Sequence, residues 1–329
     1  MMTFLHRAVA VAALALVAAC AASSGRQPPA GAATAAGGGD IVLLKSQENG
    51  LLNLAQSSFT AKMPGVTVLV GPTGTDPAAL LEKIRAARPR LLVTLGLPAT
   101  LFARQELADI PQLFAMVLNQ SRHLSGAENV MGIAMEVAPQ SEFTHFKIVL
   151  GDSLHRVLAF YGTSDEKEAA DADRMVAMAK ELAKANVSLL AVPVRTAEDI
   201  TKAYQEHARD VSAVWLMNDP LVMGNFEALS KVARKDHVPI VTSLSDWFAH
   251  TGALMSVSVD VPSVGEQAAG MARMLLERGM SPKQIGVQPP IGTKVVLNSE
   301  IAHEVGLDVP VDVLPYITEM VSEVTSNAH

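Results

Sequence analysis

Short, nearly unbroken apolar runs alternate with stretches of helical period along most of this chain. IVLLKS (41–46), VTVLVG (66–71), RLLVTLG (90–96) and PQLFAMVLN (111–119) form one series. RVLAFYG (156–162), SLLAVPV (188–194), VSAVWLMN (211–218), VPIVTSL (238–244) and ALMSVSVD (253–260) form a second. Continuous apolar character without polar alternation predicts strands buried on both faces, the signature of a parallel sheet. Helix signals fill the gaps. Asp76 followed by Pro77 reads as a cap and first-turn proline ahead of DPAALLEKIRAARP. Ser164, with Asp165 and Glu166 behind it, suits the start of a helix running to about Lys184. Ser263 and Glu266 have capping-box spacing before a helix with Val264, Ala268, Met271 and Leu275 on one face and Gly279 at its end. The Met175–Met178 stretch reads as core packing. Strand–helix alternation predicts a doubly wound α/β architecture, and the break at 120–155 divides it into two sheets. No internal sequence repeat is evident.

The first 39 residues do not share this pattern. Arg7 precedes an uninterrupted small and apolar run, Ala8 to Ala19, which is too short to span a bilayer. A basic start, a short apolar core and small residues before Cys20 read as a secretory signal with a lipobox, residues 1–20, in which the Cys20 thiol receives lipid. Cys20 is the single cysteine, so the mature domain has no disulfide. Residues 21–39, AASSGRQPPAGAATAAGGG, have no apolar bulk and read as a flexible tether. These features predict an exported, periplasm-facing, lipid-anchored protein. Ala21, where aspartate marks inner-membrane retention in enteric bacteria, leans towards the outer membrane.

Composition narrows the chemistry. A net charge of −7 and few aromatic residues argue against a nucleic-acid partner. The nine histidines are scattered without zinc-ligand spacing, and neither a Walker A nor a Rossmann glycine fingerprint is present, so no metal or cofactor is expected. Open parallel sheets bind ligands outside the carboxyl ends of their strands, which selects the segments 46–49, 96–100, 119–121, 161–164, 218–219 and 243–247. Within them, Gly96, Pro98, Ala99 and Thr100 form a strand–helix turn whose backbone amides suit a carboxylate. Asn119 ends the fourth run, and Tyr161 and Thr163 end the first run of the second series. Asn218 and Asp219 precede Pro220, where Asp219 either meets a ligand ammonium group or shapes an Asx turn. Ser245 and Asp246 flank Trp247, whose ring either stacks on a ligand or packs locally.

LLVTLGLPAT (91–100), IPQLFAMVLNQ (110–120), ENVMGIAM (128–135) and the C-terminal run from Thr251 to Pro310 form an ordered set, and that set resembles the ABC-transporter substrate-binding family with a type I periplasmic-binding-protein fold, the group with tryptophan- and other amino-acid-binding members. LLVTLGLPAT (91–100) is similar to its Gly-x-Pro-Ala loop. IPQLFAMVLNQ (110–120) and ENVMGIAM (128–135) are similar to its Ile-Pro strand and Asn-Val-Thr-Gly segment. The run from Thr251 to Val287, followed by VVLNSEIAHEVGLDVP, keeps the family's order, with Asn298, Ala302, Gly306, Leu307 and Pro310 in its closing motif. The chain departs from the family at Asn119-Gln120, where members carry Asp-Pro, at Met131 in place of threonine, and in the first loop, SQENGLL. The resemblance implies two lobes joined by a hinge, the first from 40–120 plus 249–282 and the second from 121–248 plus 283–329. It also implies a monomer that closes on a small-molecule ligand and delivers it to an inner-membrane ABC permease. The alternative is an outer-membrane lipoprotein of the same fold that binds a protein partner without transport.

One enzyme signature has to be weighed. KIVLGDSL (147–154) spells the nucleophile block of GDSL esterases, with Ser153 as nucleophile. The supporting blocks are missing: Leu216, not glycine, precedes Asn218-Asp219 by two positions, and the nearest late pair is Glu300 and His303. A serine without an oriented base is not activated, so an esterase is the remote reading and no enzyme is expected.

Overall fold

The computed structural model describes residues 39–322 except 125, 127 and 167. Cys20, the signal and all of the expected tether but Gly39 lie outside the described residues. From its start the chain forms β1 (Ile41–Lys45), α1 (Gly50–Lys62), β2 (Thr67–Val70), α2 (Pro77–Ala87), β3 (Leu91–Leu95), α3 (Leu97–Glu106), β4 (Gln112–Val117), α4 (Gln120–Leu124) and β5 (Val130–Ala134). It continues as α5 (Pro139–Leu150), β6 (Arg156–Gly162), α6 (Glu168–Ala183), β7 (Ser188–Val194), α7 (Ala197–His207), β8 (Ala213–Leu216), α8 (Pro220–Gly224) and α9 (Phe226–Lys235). β9 (Ile240–Thr242), α10 (Trp247–Thr251), β10 (Met255–Val259), α11 (Val261–Leu276), α12 (Pro282–Ile285) and β11 (Val287–Gln288) follow. β12 (Thr293–Asn298), α13 (Ser299–Glu304) and β13 (Glu319–Val321) complete it. Among the described residues no helix is long and apolar enough to cross a membrane.

The strands make two sheets, ordered β2-β1-β3-β4-β5-β11 and β7-β6-β8-β9-β10-β12-β13. The first is parallel throughout. The second is parallel apart from the antiparallel β10–β12 pair. Each therefore repeats one winding, in which the second strand of the series lies outside the first and later strands continue on the other side. The repeat exists in topology without a matching repeat in sequence. The winding reverses between β1 and β3 in one sheet and between β6 and β8 in the other, and such reversals open a crevice at the strand ends.

The sheets correct the expected lobe boundaries. Segment 128–135 supplies β5, which pairs with β4 in the first sheet, so the first lobe runs past 120. β10 pairs with β9 and belongs to the second sheet, so residues 249–259 are not in the first. β11 pairs with β5 and returns to the first sheet, beyond the expected limit at 282. The chain thus changes lobe three times: between β5 and α5, at Asp260, and between β11 and β12. β5 escaped notice because Gly132 interrupts its apolar run. That glycine is required, since a Cβ there would lie 2.3 Å from the Phe114 ring on β4.

Helix starts also differ in detail. Asp76 caps α2 as expected, accepting from Ala78 N at 3.0 Å. α6 begins at Glu168, so Ser164 lies upstream and does not cap it. α11 is capped three residues earlier than expected: Asp260 accepts from Ser263 N at 3.0 Å, and Ser263 is inside the helix. An aspartate followed by Val261-Pro262 is the stronger cap, because proline in the first turn loses no helical hydrogen bond.

Both sheets are covered on both faces. In the first, Ile41, Leu43, Leu91 and Val93 pack under α1 and α11. Val42, Leu44 and Leu92 pack under α2 and α3. In the second, Val157, Ala159, Trp215 and Val241 lie under α5 and α6 with Phe143, Phe146 and Leu182. Leu158, Phe160, Val214 and Leu216 lie under α7 and α9. Met175 is buried and Met178 packs against the core, in keeping with the packing role read from the sequence. α11 reaches the first lobe from far along the chain and meets α1 so closely that a Cβ at Gly265 would sit 2.3 Å from Ala55 O and 2.9 Å from Phe59 N. Both are backbone atoms and cannot rotate away. Gly265→Ala should therefore destabilise the fold by about 1–3 kcal/mol, read as a lower midpoint in chemical denaturation, despite the better helix propensity of alanine.

Candidate functional site

At the first reversal, the last residue of β1 stands opposite the last residue of β3, Lys45 opposite Leu95. Their successors, Ser46 and Gly96, consequently meet. Ser46 Oγ accepts from Ala99 N at 2.9 Å and donates to Leu95 O at 3.1 Å. A Cβ on Gly96 would come within 2.7 Å of that hydroxyl, and Gly96 has φ +91°. The turn is thus built and capped internally. Gly96 N bonds Ala115 O, Thr100 N bonds Gly96 O, and Thr100 Oγ1 adds a second bond to Gly96 O. Pro98 has no N–H. Of the amides expected to cradle an anion, those of Gly96, Ala99 and Thr100 are committed, and Ala99 and Thr100 are buried. Among the described residues, the Leu97 N–H is the amide of this turn without a partner. Asn119 is exposed at the end of β4 with φ +51°, and its N–H donates to the Glu136 carboxylate in the first crossing between lobes.

The second reversal is held by Asp219. Its Oδ2 accepts from Gly162 N at 2.7 Å, and its Oδ1 accepts from Leu221 N and Val222 N at 3.0 and 3.1 Å. One carboxylate therefore ties the end of β6 to the start of α8. The Asx-turn role is the one realised, and three backbone donors already balance the charge. Thr163 Oγ1 reaches Asp171 at 3.2 Å, Tyr161 is buried, and Asn218 is exposed. Burial, with Asp171 and Glu168 nearby, raises the Tyr161 phenol above its ordinary pKa, so it is a hydrogen-bonding group and never a base here.

The third segment follows β9. Ser245 Oγ accepts from Trp247 N at 3.2 Å. Trp247 packs edge-on to Phe248 at 4.9 Å and tilts against Phe226 at 6.1 Å, yet stays 42 % exposed. Asp246 pairs with Lys294 Nζ at 2.7 Å, and Lys294 also reaches Glu319 at 2.8 Å. Burial alone would raise the Asp246 pKa, but the Lys294 ammonium overcomes it and holds the carboxyl below its ordinary value. The fold does bring His250 to Asp246 and Glu319, close enough together to share a cation. Lys294 already neutralises the two carboxylates of the three, and His250 reaches Glu319 at 3.3 Å.

Two residues escaped the sequence reading. Lys45 ends β1 with its side chain almost fully buried, and its ammonium reaches Asn53 Oδ1 at 2.6 Å and the exposed Glu48 at 2.9 Å. Lys45 was hidden inside an apolar run, IVLLKS, and drew no reading of its own. Glu142 lies in the first turn of α5 and is 4 % exposed. Nothing in the surrounding sequence marks it, because a glutamate in a first helical turn is ordinary. Burial pushes its carboxyl up to about 8, against the opposing influence of the Ser243 hydroxyl and the Trp215 indole. Between the ordinary value of 4.5 and about 8, the folded chain holds a proton that the unfolded chain has released, so Glu142 makes stability fall as pH rises through that window. Glu142→Gln should remove this slope. Its melting temperature relative to the unsubstituted protein should climb between pH 5 and pH 8 in thermal melts.

Ser153 sits in a single 3-10 turn ahead of β6, donating to the Leu150 carbonyl, and the His155 ring contacts only the Ser153 carbonyl, at 2.8 Å. Among the described residues no base is aimed at the hydroxyl. Residues 73–321 match the family model described as ABC transporter substrate binding protein. A tyrosine-binding protein of Clostridioides difficile (strain R20291) is 22 % identical over 229 residues, covering 68 % of this chain. The match spans 64 % of that relative's length. Among solved structures, the ligand-free, open form of a substrate binding protein with adhesive properties from Clostridium difficile superposes with a TM-score of 0.71 at 17 % identity, covering 86 % of this chain and 99 % of that one. An ABC domain in complex with L-Trp from Streptococcus pneumonia gives 0.55 at 19 % identity, with 85 % and 99 % covered. The fold is the two-lobed, hinged α/β arrangement of type I periplasmic binding proteins. With three-quarters of its length inside the family model, the chain belongs to the ABC transporter substrate binding protein family, a family of binding proteins and not of enzymes.

Proposed function

We propose that this chain is the exported, lipid-anchored solute-binding component of an ABC-type uptake system, and that its ligand is a small zwitterion such as an amino acid. The observation that carries the ligand class is the pairing of two winding reversals with opposite charge character. The first offers the Leu97 N–H and the Lys45 ammonium, which suit a carboxylate. The second is rich in acidic and polar groups, among them Asp219, Asp246, Thr163 and Asn218; Asp219 and Asp246 are already partnered, so they favour an ammonium group by their field and not by direct contact. Exposed apolar groups beside these loops, Leu118 at 58 % and Trp247 at 42 %, suit an apolar or aromatic side chain on the ligand. The C. difficile relative named for tyrosine and the S. pneumonia domain holding L-Trp support the same class. Hinge closure over the ligand would present the closed form to a permease.

A ligand bound only by the native state adds about 2.7 kcal/mol at a hundredfold excess over its Kd. That should raise the melting temperature by roughly 5 °C for a protein of this size. A panel of the common amino acids should contain at least one such compound, and a panel without any shift removes the zwitterion reading. Asp219→Ala should also lower stability by about 1 kcal/mol without ligand, because it uncaps α8. The anchor is tested separately. Cys20→Ser should move the protein from the membrane fraction to the soluble fraction, whereas an unsubstituted protein already soluble and free of lipid would exclude the lipoprotein reading.

A further inference from the structure

The carboxylates around the second crevice differ in one respect that bears on recognition. Asp219 is balanced by three backbone N–H groups. Asp246 has Lys294. Asp165 and Glu168 share Arg195, and Asp171 has Thr163 and Arg174. Glu142 is the exception: it is 4 % exposed, and its Oε2 has no hydrogen-bond partner. Beside it the Trp215 Nε1 donor is also buried without a partner.

The position of Glu142 follows from the fold. α5 runs into β6 from the opposite end of the sheet, so its first turn lies at the carboxyl ends of the strands, directly after the first crossing between lobes. Ser243, which flanks the carboxyl, is the first residue beyond β9 and is half-buried, not sealed in the core. A carboxyl oxygen in such a place loses its water without gaining a partner, and buried polar groups left in that condition are rare in folded proteins. We infer that Glu142 is the group that receives the ligand's ammonium, its buried, unpartnered oxygen accepting from the cation while Ser243 and Trp215 support the carboxylate. Asp219 and Asp246 shape the crevice and do not carry the contact. The inference rests on the zwitterion reading above and names the residue that would distinguish an amine from its uncharged analogue.

The chemistry leaves a measurable trace. Without ligand the buried carboxyl is mostly protonated at neutral pH, whereas a cation seated against it requires the carboxylate. Binding at pH 7 should then release close to one proton. Calorimetric titration with L-tyrosine and L-tryptophan, repeated in phosphate and in Tris, should give binding enthalpies that differ by the buffers' ionisation heats. Glu142→Gln should weaken these amino acids by about thirtyfold or more. It should leave 3-(4-hydroxyphenyl)propionate and indole-3-propionate, which lack the amine, nearly unaffected. If neither these two nor any other common amino acid binds the unsubstituted protein, the zwitterion reading fails and takes this inference with it. If the amino acids bind without proton release, or if Glu142→Gln keeps its preference for them over the des-amino acids, Glu142 is structural and only this inference falls. The proton count is made on the unsubstituted protein, so a Glu142→Gln variant that did not fold would leave the test intact.

Discussion

A parallel strand cannot be reached by a tight turn, and this governs the rest of the molecule. Each neighbouring strand requires a crossover that returns the chain to the same starting edge, usually through a helix. The carboxyl ends of the mutually parallel strands, all but β12 and β13, therefore gather on one side of each sheet, and the crossovers must leave that side in opposite directions wherever the winding reverses. Both sheets obey the rule with the same strand order. The crevice between β1 and β3, and its counterpart between β6 and β8, follow from the pairing. They do not depend on the particular residues that line them. What the residues decide is how the openings are furnished.

The furnishing is economical in charge. Ser46 holds the first turn through a hydroxyl, and Asp219 holds the second through a carboxylate, so the two lobes solve the same geometric problem with different chemistry. Glycine appears at both points for a steric reason. A Cβ at Gly96 would strike Ser46, and one at Gly162 would press against Asp219 at 3.0 Å. Lys45 in the first lobe and Glu142 in the second are the buried ionisable groups that remain. Their surroundings differ, because Lys45 has an exposed acidic neighbour while Glu142 has only neutral dipoles beside it.

Much of the architecture was legible because a buried parallel strand has an unmistakable composition. The nine apolar runs correspond to β1–β4 and β6–β10. The strands that escaped are of other kinds: β5 is broken by Gly132, β11 is two residues long, β12 is half polar and antiparallel to its neighbour β10, and β13 is three residues that begin with Glu319. Missing β5 and misplacing β10 displaced the lobe boundaries, since the crossings fall beside these elements. The loops at the strand ends were correctly located by topology alone. The state of their groups was not legible, because it depends on partners far along the chain. Ala99 N is satisfied by a hydroxyl 53 positions away, Gly162 N by a carboxylate 57 away, and Asp246 by an ammonium 48 away. No local pattern records such pairings, and a group that reads as available in sequence can be fully occupied in the fold.

The three crossings carry a consequence for biosynthesis. The first sheet is nearly finished when β5 emerges, yet one of its two faces lacks its cover until α11 arrives more than a hundred residues later. In the interval Ile41, Leu43, Leu91 and Val93 can be only partly shielded, by α1 alone, while the second lobe is synthesised and begins to collapse. The second lobe in turn waits for β12 and β13, which follow α11. Neither half can mature independently, and the last sixty described residues close both. A nascent chain of this design exposes apolar surface for most of its translation, which suits a protein whose export as an extended chain would have to precede folding.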